Sequence, residues 1–362
     1  MSVAAWLVLA AVAEIAPSRY AGLVARYASG ERAAALAEAR DVSEKELARE
    51  LDRLRGWERT ARRCERCPEK EAFAGFPLRA AILLHTDLAN VEIRSRTPVD
   101  EAVPRCGMGP QAVMAEELAL LAILRPGDAS FVRRWFRAMT LRSHTDACLA
   151  DALHWAGAGL RWFPKDAPLL LARGAVEEMA AALLDDVPSA LLASFTGARR
   201  GVAGLPRQYL EYALRDLDRA LAADKTLAEA KLHRGRVLWL LGLRTEARAT
   251  FAAVLQEGGD TALLFRAHLF RGRALEEEKR FEDAAADYRA ALALVPHAQS
   301  AAVALSYVSW LQGKTAQAKA SLDEALLRAG RRAEPDPYWN YSFGSPEEVE
   351  RLFDSLREDA RP

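Results

Sequence analysis

Lysine is almost missing from this chain. Of its 362 residues 50 are basic, and only eight of those are lysines against 42 arginines. The excess of arginine and alanine reads as the composition of a GC-rich, bacterial genome and not as phosphate recognition. Acidic residues also number 50, so the formal net charge is zero. No global field then draws the chain to nucleic acid or to an anionic membrane surface. Long apolar runs are missing as well: the run at residues 3–13 is too short to cross a bilayer, and no other segment could. Glycine-rich phosphate loops, the zinc-helix pattern HExxH and the nucleophile elbow GxSxG are absent. Gly197, Gly201 and Gly204 are spaced wrongly for a dinucleotide fingerprint. The chain is therefore expected to be no enzyme and to need no cofactor. What it has in plenty is leucine and alanine, with 51% hydrophobic residues, enough to bury a sizeable core in helices.

The run from Val3 to Ala13 ends in Ala11-Val12-Ala13, and its length and small-x-small ending fit a secretory signal peptide over residues 1–13. No Lys or Arg precedes it. Export would place the chain in an extracytoplasmic compartment, periplasmic or secreted. Read as a buried first helix, the same run leaves it cytoplasmic.

Cys64 and Cys67 form the one CxxC pair, and Cys106 and Cys148 complete the four cysteines. In an exported chain they read as two disulfides; the alternative is a zinc-binding module built on Cys64 and Cys67. His-Thr-Asp occurs at His85 to Asp87 and again at His144 to Asp146. Helix capping explains these triplets better than a shared metal site. A helical enzyme with no recognisable motif is the remaining alternative.

The stretch from Phe265 to Pro296 is the most readable part of the chain. Phe265, His268, Leu269, Gly272 and Leu275 recur at three- and four-residue steps, then Phe281, Ala284, Tyr288, Ala291 and Leu292 do the same, and Pro296 closes the second run. Small residues at Gly272 and Ala284 would let two antiparallel helices approach closely. This pattern resembles the tetratricopeptide repeat, a family of stacked 34-residue helical hairpins. The family's small, large, small, aromatic, small and proline places fall on Gly272, Leu275, Ala284, Tyr288, Ala291 and Pro296. A frame from Ala228 gives Gly235, Leu238, Ala247 and Phe251. A weaker one from Gln299 gives Ser306, Ser309 and Ala318. Upstream, Gly174 finds its partner only at Ala213 and Leu217, so about 27 residues are inserted within one hairpin.

The resemblance implies an all-α fold, a right-handed tetratricopeptide-like solenoid of helical hairpins closed by a C-terminal capping helix. Residues 14–144 form a helical region with degenerate repeats, the first at Arg19 to Ala39 about Gly30. Residues 145–330 form the array, with an insertion at about 183–206. Residues 331–362 hold an aromatic segment, Pro337 to Phe343, read as end packing or alternatively as a partner-binding patch, and a helix from Ser345 with a capping box at Glu348 and an apolar face suited to the end of the last repeat.

The resemblance also implies a function: a non-catalytic scaffold whose first helices line a concave groove that binds a protein or peptide. The groove positions hold Leu232, Arg236, Trp239 and Leu240, then Arg266, Leu269, Arg273 and Glu277, then Val303, Tyr307, Trp310 and Leu311. Arg236, Trp239, Arg266, Arg273, Tyr307 and Trp310 are the expected partner-binding residues, since Trp, Tyr and Arg anchor interfaces; the alternative is that Trp239 and Trp310 merely pack between helices. The asparagines with which chaperone-binding members of the family clamp a terminal carboxylate are missing. Arg236 and Arg273 would instead suit an acidic segment held bidentately.

Overall fold

A computed structural model describes residues 18–42, 44–96, 108–125, 127–145, 148–186, 205–329, 336–338, 341 and 345–362. The expected signal peptide, Ser43, Cys106, Asp146 and most of the insertion at 183–206 lie outside the described residues. Seventeen helices and no strand are found among those described. They divide into two compact units, residues 1–151 with 344–362, and residues 152–343.

The first unit holds α1 (Arg19–Ala28), α2 (Arg32–Ala39), α3 (Glu44–Ala61), α4 (Pro68–Gly75), α5 (Leu78–Arg96), α6 (Pro110–Ile123), α7 (Ala129–Thr145) and the last helix of the chain. In α1 and α2 the turn at Gly30 has φ of 101°, and Glu31 N–H donates to Arg26 C=O across it. That left-handed residue with a long backbone bond is the usual way for a helix to end sharply. Cys64 and Cys67 are joined in a disulfide just before α4. Zinc binding needs free thiolates, so the bridged pair offers no site for it. Cys148 is disulfide-bonded too.

His85, Thr86 and Asp87 are buried in α5 and do not converge on a common point. The Tyr20 hydroxyl donates to His85 Nε2 at 2.8 Å, and His85 Nδ1 lies 2.6 Å from Gln111 Oε1. Asp87 accepts from the Tyr27 hydroxyl and pairs with Arg32 at 2.8 Å and Arg357 at 3.4 Å. Helix capping is not their role either: they stand inside a helix and fill a polar core.

The second unit begins within α8 (Leu149–Trp162) and continues through α9 (Ala167–Asp186), α10 (Leu205–Ala223), α11 (Ala228–Leu240), α12 (Arg244–Glu257), α13 (Thr261–Glu277), α14 (Phe281–Leu294), α15 (Gln299–Leu311) and α16 (Thr315–Ala329). Thr145 ends α7 and does not cap α8, which starts at Leu149. Four hairpins follow: α9 with α10, α11 with α12, α13 with α14, α15 with α16. The second helix of each packs on the first helix of the next, and successive first helices also touch one another. That pairing scheme is a tetratricopeptide-like solenoid, with α9, α11, α13 and α15 along its inner face.

Close approach within the first three hairpins depends on a missing side chain. A Cβ placed on Gly235 would lie 2.5 Å from the Phe251 ring, and one on Gly272 would lie 2.6 Å from the Tyr288 ring. At Gly174 it would meet Leu217 at 2.9 Å and the Ala213 carbonyl at 3.3 Å, so the hairpin is intact across its insertion. Ala247, Ala284 and Ala291 are fully buried beside these crossings, and Ala318 is nearly so. In the last hairpin the small residue is Ser306, whose hydroxyl donates to the Ala318 carbonyl. Pro296 follows the end of α14 and stays exposed. Gly242, Lys279 and Gly313, all at positive φ, repeat the Gly30 turn after α11, α13 and α15.

The last helix, α17 (Pro346–Asp359), is capped by the Ser345 hydroxyl, which accepts from Glu348 N–H. It covers an apolar surface, but that surface belongs to α7 and α5 of the first unit and not to the last repeat. Val349, Phe353 and Leu356 are buried there, with the Arg142 guanidinium 3.7 Å from the Phe353 ring centre. The reason is charge pattern. Glu348, Glu350 and Asp359 meet Arg137, Arg142 and Arg134 of α7, a row of cations that α16 does not supply.

Gly272→Ala is expected to lower stability by about 1–3 kcal/mol, because the buried Tyr288 ring cannot yield. Gly157→Ala, in α8 with nothing within 4 Å of an added Cβ, should instead stabilise by up to about 1 kcal/mol through helix propensity. Urea unfolding of both variants checks the pair, and equal shifts would contradict the close-approach account.

Burial lowers the His85 pKa from 6.5 to about 4. The unfolded chain therefore takes up this proton first as pH falls, and the stability carried by neutral His85 is present above pH 6.5 and lost toward pH 4. The loss should run at about 1.4 kcal/mol per pH unit within that window. The urea midpoint of the wild type should accordingly fall more steeply between pH 6.5 and 4 than that of His85→Leu; parallel profiles would refute it.

Candidate interaction groove

The inner face of the second unit is where the sequence-marked residues gather. Arg236 and Trp239 stand on α11, Arg266 and Arg273 on α13, Tyr307 and Trp310 on α15. Two positions expected beside them, Leu232 and Leu269, are buried in the helix packing at 1% and 0% exposure. Helix rotation in the stack turns those leucines into the core clusters that hold Phe251, Phe265 and Tyr288.

A segment of the chain itself lies along this face. Asp336, Pro337, Tyr338 and Tyr341 cross the first helices in reverse order, from α15 toward α9. At α15 the Asp336 carboxylate accepts from Ser300 N–H at 2.8 Å and from the Ser300 hydroxyl at 3.0 Å, at the positive end of the helix. At α13 the Pro337 carbonyl accepts from Arg266 Nε at 3.0 Å, and the Tyr338 ring sits under the Arg273 guanidinium at 4.9 Å and edge-on to Phe270. At α11 the Tyr341 ring stacks beneath Arg236, 4.6 Å from its guanidinium carbon, and edge-on to Phe270.

The Tyr341 hydroxyl ends in a buried polar knot. It donates to Glu178 of α9 at 3.1 Å and lies 2.9 Å from His233 Nδ1, which is 2.7 Å from the other Glu178 oxygen. Arg236 pairs with Glu178 as well. Burial alone would raise the Glu178 pKa, but Arg236 and His233 outweigh it and hold the carboxylate ionised. Burial would likewise lower Arg236, and Glu178 with Tyr341 overcomes that. Burial raises the Tyr341 phenol well above its usual range, so it stays a donor. These acid and base groups are spent on one another. A similar compensated group stands outside the groove, where Asp287 takes bonds from Arg271 and His268; against the raising effect of burial they hold its pKa low.

The rest of the inner face is open. On α15, Val303, Tyr307 and Trp310 are 50%, 49% and 59% exposed, and the Tyr307 and Trp310 rings stack with centres 6.1 Å apart. A cavity of about 590 Å³ lies between this stripe and the resident segment, with Trp239, Arg273, Tyr307 and Tyr338 in its wall. Trp239 also packs on the core cluster around Phe251, whereas Trp310 does not. The sequence reading missed the occupant. Pro337 to Phe343 is visible as an aromatic cluster, but only the repeat of Tyr at three residues' spacing after an aspartate hints at a groove-bound segment.

No protein-family profile matches this chain. No curated protein matches it either. Among solved structures it is similar to one titled "Crystal structure of MamA protein", with 14% identity and a TM-score of 0.42, covering 61% of this chain and 99% of that one. Another, "MamA 41-end from Desulfovibrio magneticus RS-1", has 17% identity and a TM-score of 0.41, covering 54% and 94%. A third, "Crystal structure of MamA", has 14% identity and a TM-score of 0.40, covering 53% and 94%.

Proposed function

We propose that this protein is a non-catalytic scaffold that binds a protein or peptide partner along the inner face of its second unit. One observation carries the reading: the α15 face presents a stacked Tyr307–Trp310 pair, half exposed or more, beside a cavity walled by Trp239 and Arg273. Large rings bury much area at little entropic loss, and contiguous exposed aromatics on a folded surface mark interaction sites. The neighbouring part of the same face already holds a non-helical segment through arginines, ring stacking and carbonyl contacts. That is the chemistry by which grooves of this kind take peptides.

The partner should be recovered with wild-type protein from the native cell and lost with Trp310→Ala, whose circular dichroism and melting should match the wild type, and with the Trp239→Ala/Trp310→Ala double variant, which should keep its helical circular dichroism but melt lower because Trp239 packs on the core. A loss of about 2 kcal/mol, some thirtyfold in affinity, is expected for an anchoring tryptophan. Partners held equally by wild type and both variants would remove the groove from consideration. The bridged cysteines support a further proposal, that the protein works outside the cytoplasm after cleavage following Ala13. Intact mass of the native protein should then lack residues 1–13; a mass that includes them would contradict export by cleavage.

A further inference from the structure

The Asp336 to Tyr341 segment makes every kind of contact a bound peptide would make, and it makes them on the residues the fold offers for binding. Three anchors are spread over the four first helices: a carboxylate at the start of α15, a tyrosine ring under Arg273, and a second tyrosine under Arg236 whose hydroxyl reaches Glu178. Its described residues belong to no helix: Tyr338 N–H donates to Asp336 Oδ1 at 2.9 Å and Tyr341 N–H to the Tyr338 carbonyl at 3.0 Å, so a turn presents the side chains and carbonyls that make these contacts. The face it covers continues beyond it, into the cavity shared by Tyr338, Trp239 and Tyr307. A groove longer than its resident, with its polar and aromatic subsites matched to that resident, has the form of a binding site held by a tethered ligand.

We infer that Asp336, Pro337, Tyr338 and Tyr341 form an internal occupant of the peptide groove, and that the partner is a turn-forming segment of another protein with a carboxylate two residues before one tyrosine and five before a second. The inference rests on the groove reading above and adds the chemistry and the regulation of that site. Each subsite sets one requirement. Ser300, with its N–H and hydroxyl free once Asp336 leaves, accepts a carboxylate. Arg273 and Phe270 take a ring. The pocket formed by Arg236, His233 and Glu178 takes a ring that carries a hydroxyl, since a phenylalanine would leave Glu178 short of a donor. Because the occupant is tethered, it competes at an effective concentration in the millimolar range, and a partner binds only at the cost of displacing it. Removing the occupant should therefore raise affinity for a free peptide without altering the groove.

The test uses a fluorescein-labelled peptide spanning residues 334–345 and the full-length chain. Wild-type protein should bind it weakly. The Tyr338→Ala/Tyr341→Ala variant, with its own segment unable to anchor, should bind it at least about tenfold more tightly. Adding Arg236→Ala to that variant should abolish the gain, and a peptide with both tyrosines changed to alanine should not bind. If the double variant does not fold, Tyr338→Ala and Asp336→Asn singly, each releasing one anchor, should give smaller gains in the same direction. A folded, released variant that binds the peptide no better than wild type would overturn the inference and make the segment a permanent filler. A released variant that dimerises in light scattering and leaves the peptide unbound would also overturn it, in favour of a second copy as occupant. Loss of the native partner on removing Trp239 and Trp310, with the peptide still unbound, would sink this inference alone and leave the scaffold reading standing.

Discussion

The arrangement depends on helices that come close enough for one backbone to receive the ring of its partner. At Gly235 and Gly272 the absent Cβ leaves room that Phe251 and Tyr288 occupy, and the same relation joins Gly174 to Leu217. A contact this tight admits only one register between two helices. Since protein interiors resist even one added methylene, it also fixes the angle at which the pair crosses. Repetition of that unit aligns α9, α11, α13 and α15, and the inner face on which the arginines and aromatics stand follows from the alignment. Unlike side chains are thereby brought into a row although they lie tens of residues apart.

Much of this was legible in the sequence, because helix period and the placement of small residues are local properties. The α13–α14 hairpin could be read whole, and the 34-residue step from Ala213 to Ala247 implied that the Gly174 hairpin resumes after its insertion. The arginine and tryptophan positions on the inner face followed from the same phase. Leu232 and Leu269 did not, since helix rotation within a stack decides by a few tens of degrees whether a residue faces the groove or the core. Sequence period alone does not resolve that angle.

Two placements needed information the chain does not carry locally. The apolar face of α17 says that it must be covered, but not by what; the arginines at 134, 137 and 142 decide it, more than two hundred residues earlier in sequence. The aromatic segment before it was just as ambiguous. Its rings find guanidinium groups on α11 and α13, and its last hydroxyl finds a buried carboxylate on α9, contacts that no periodicity announces. In both cases long-range electrostatics selected among surfaces that hydrophobic pattern left equivalent.

Stacked hairpins ordinarily behave as a one-dimensional system, in which each unit is stabilised by its neighbours and the ends fray independently. The hydrogen bond from Tyr341 to Glu178 spans 163 positions and ties the first hairpin of this array to a turned segment that also touches the last. Such a tie joins the ends of the array, so that fraying at either one costs contacts at the other. It converts a sequence of loosely coupled units into something closer to a single cooperative body.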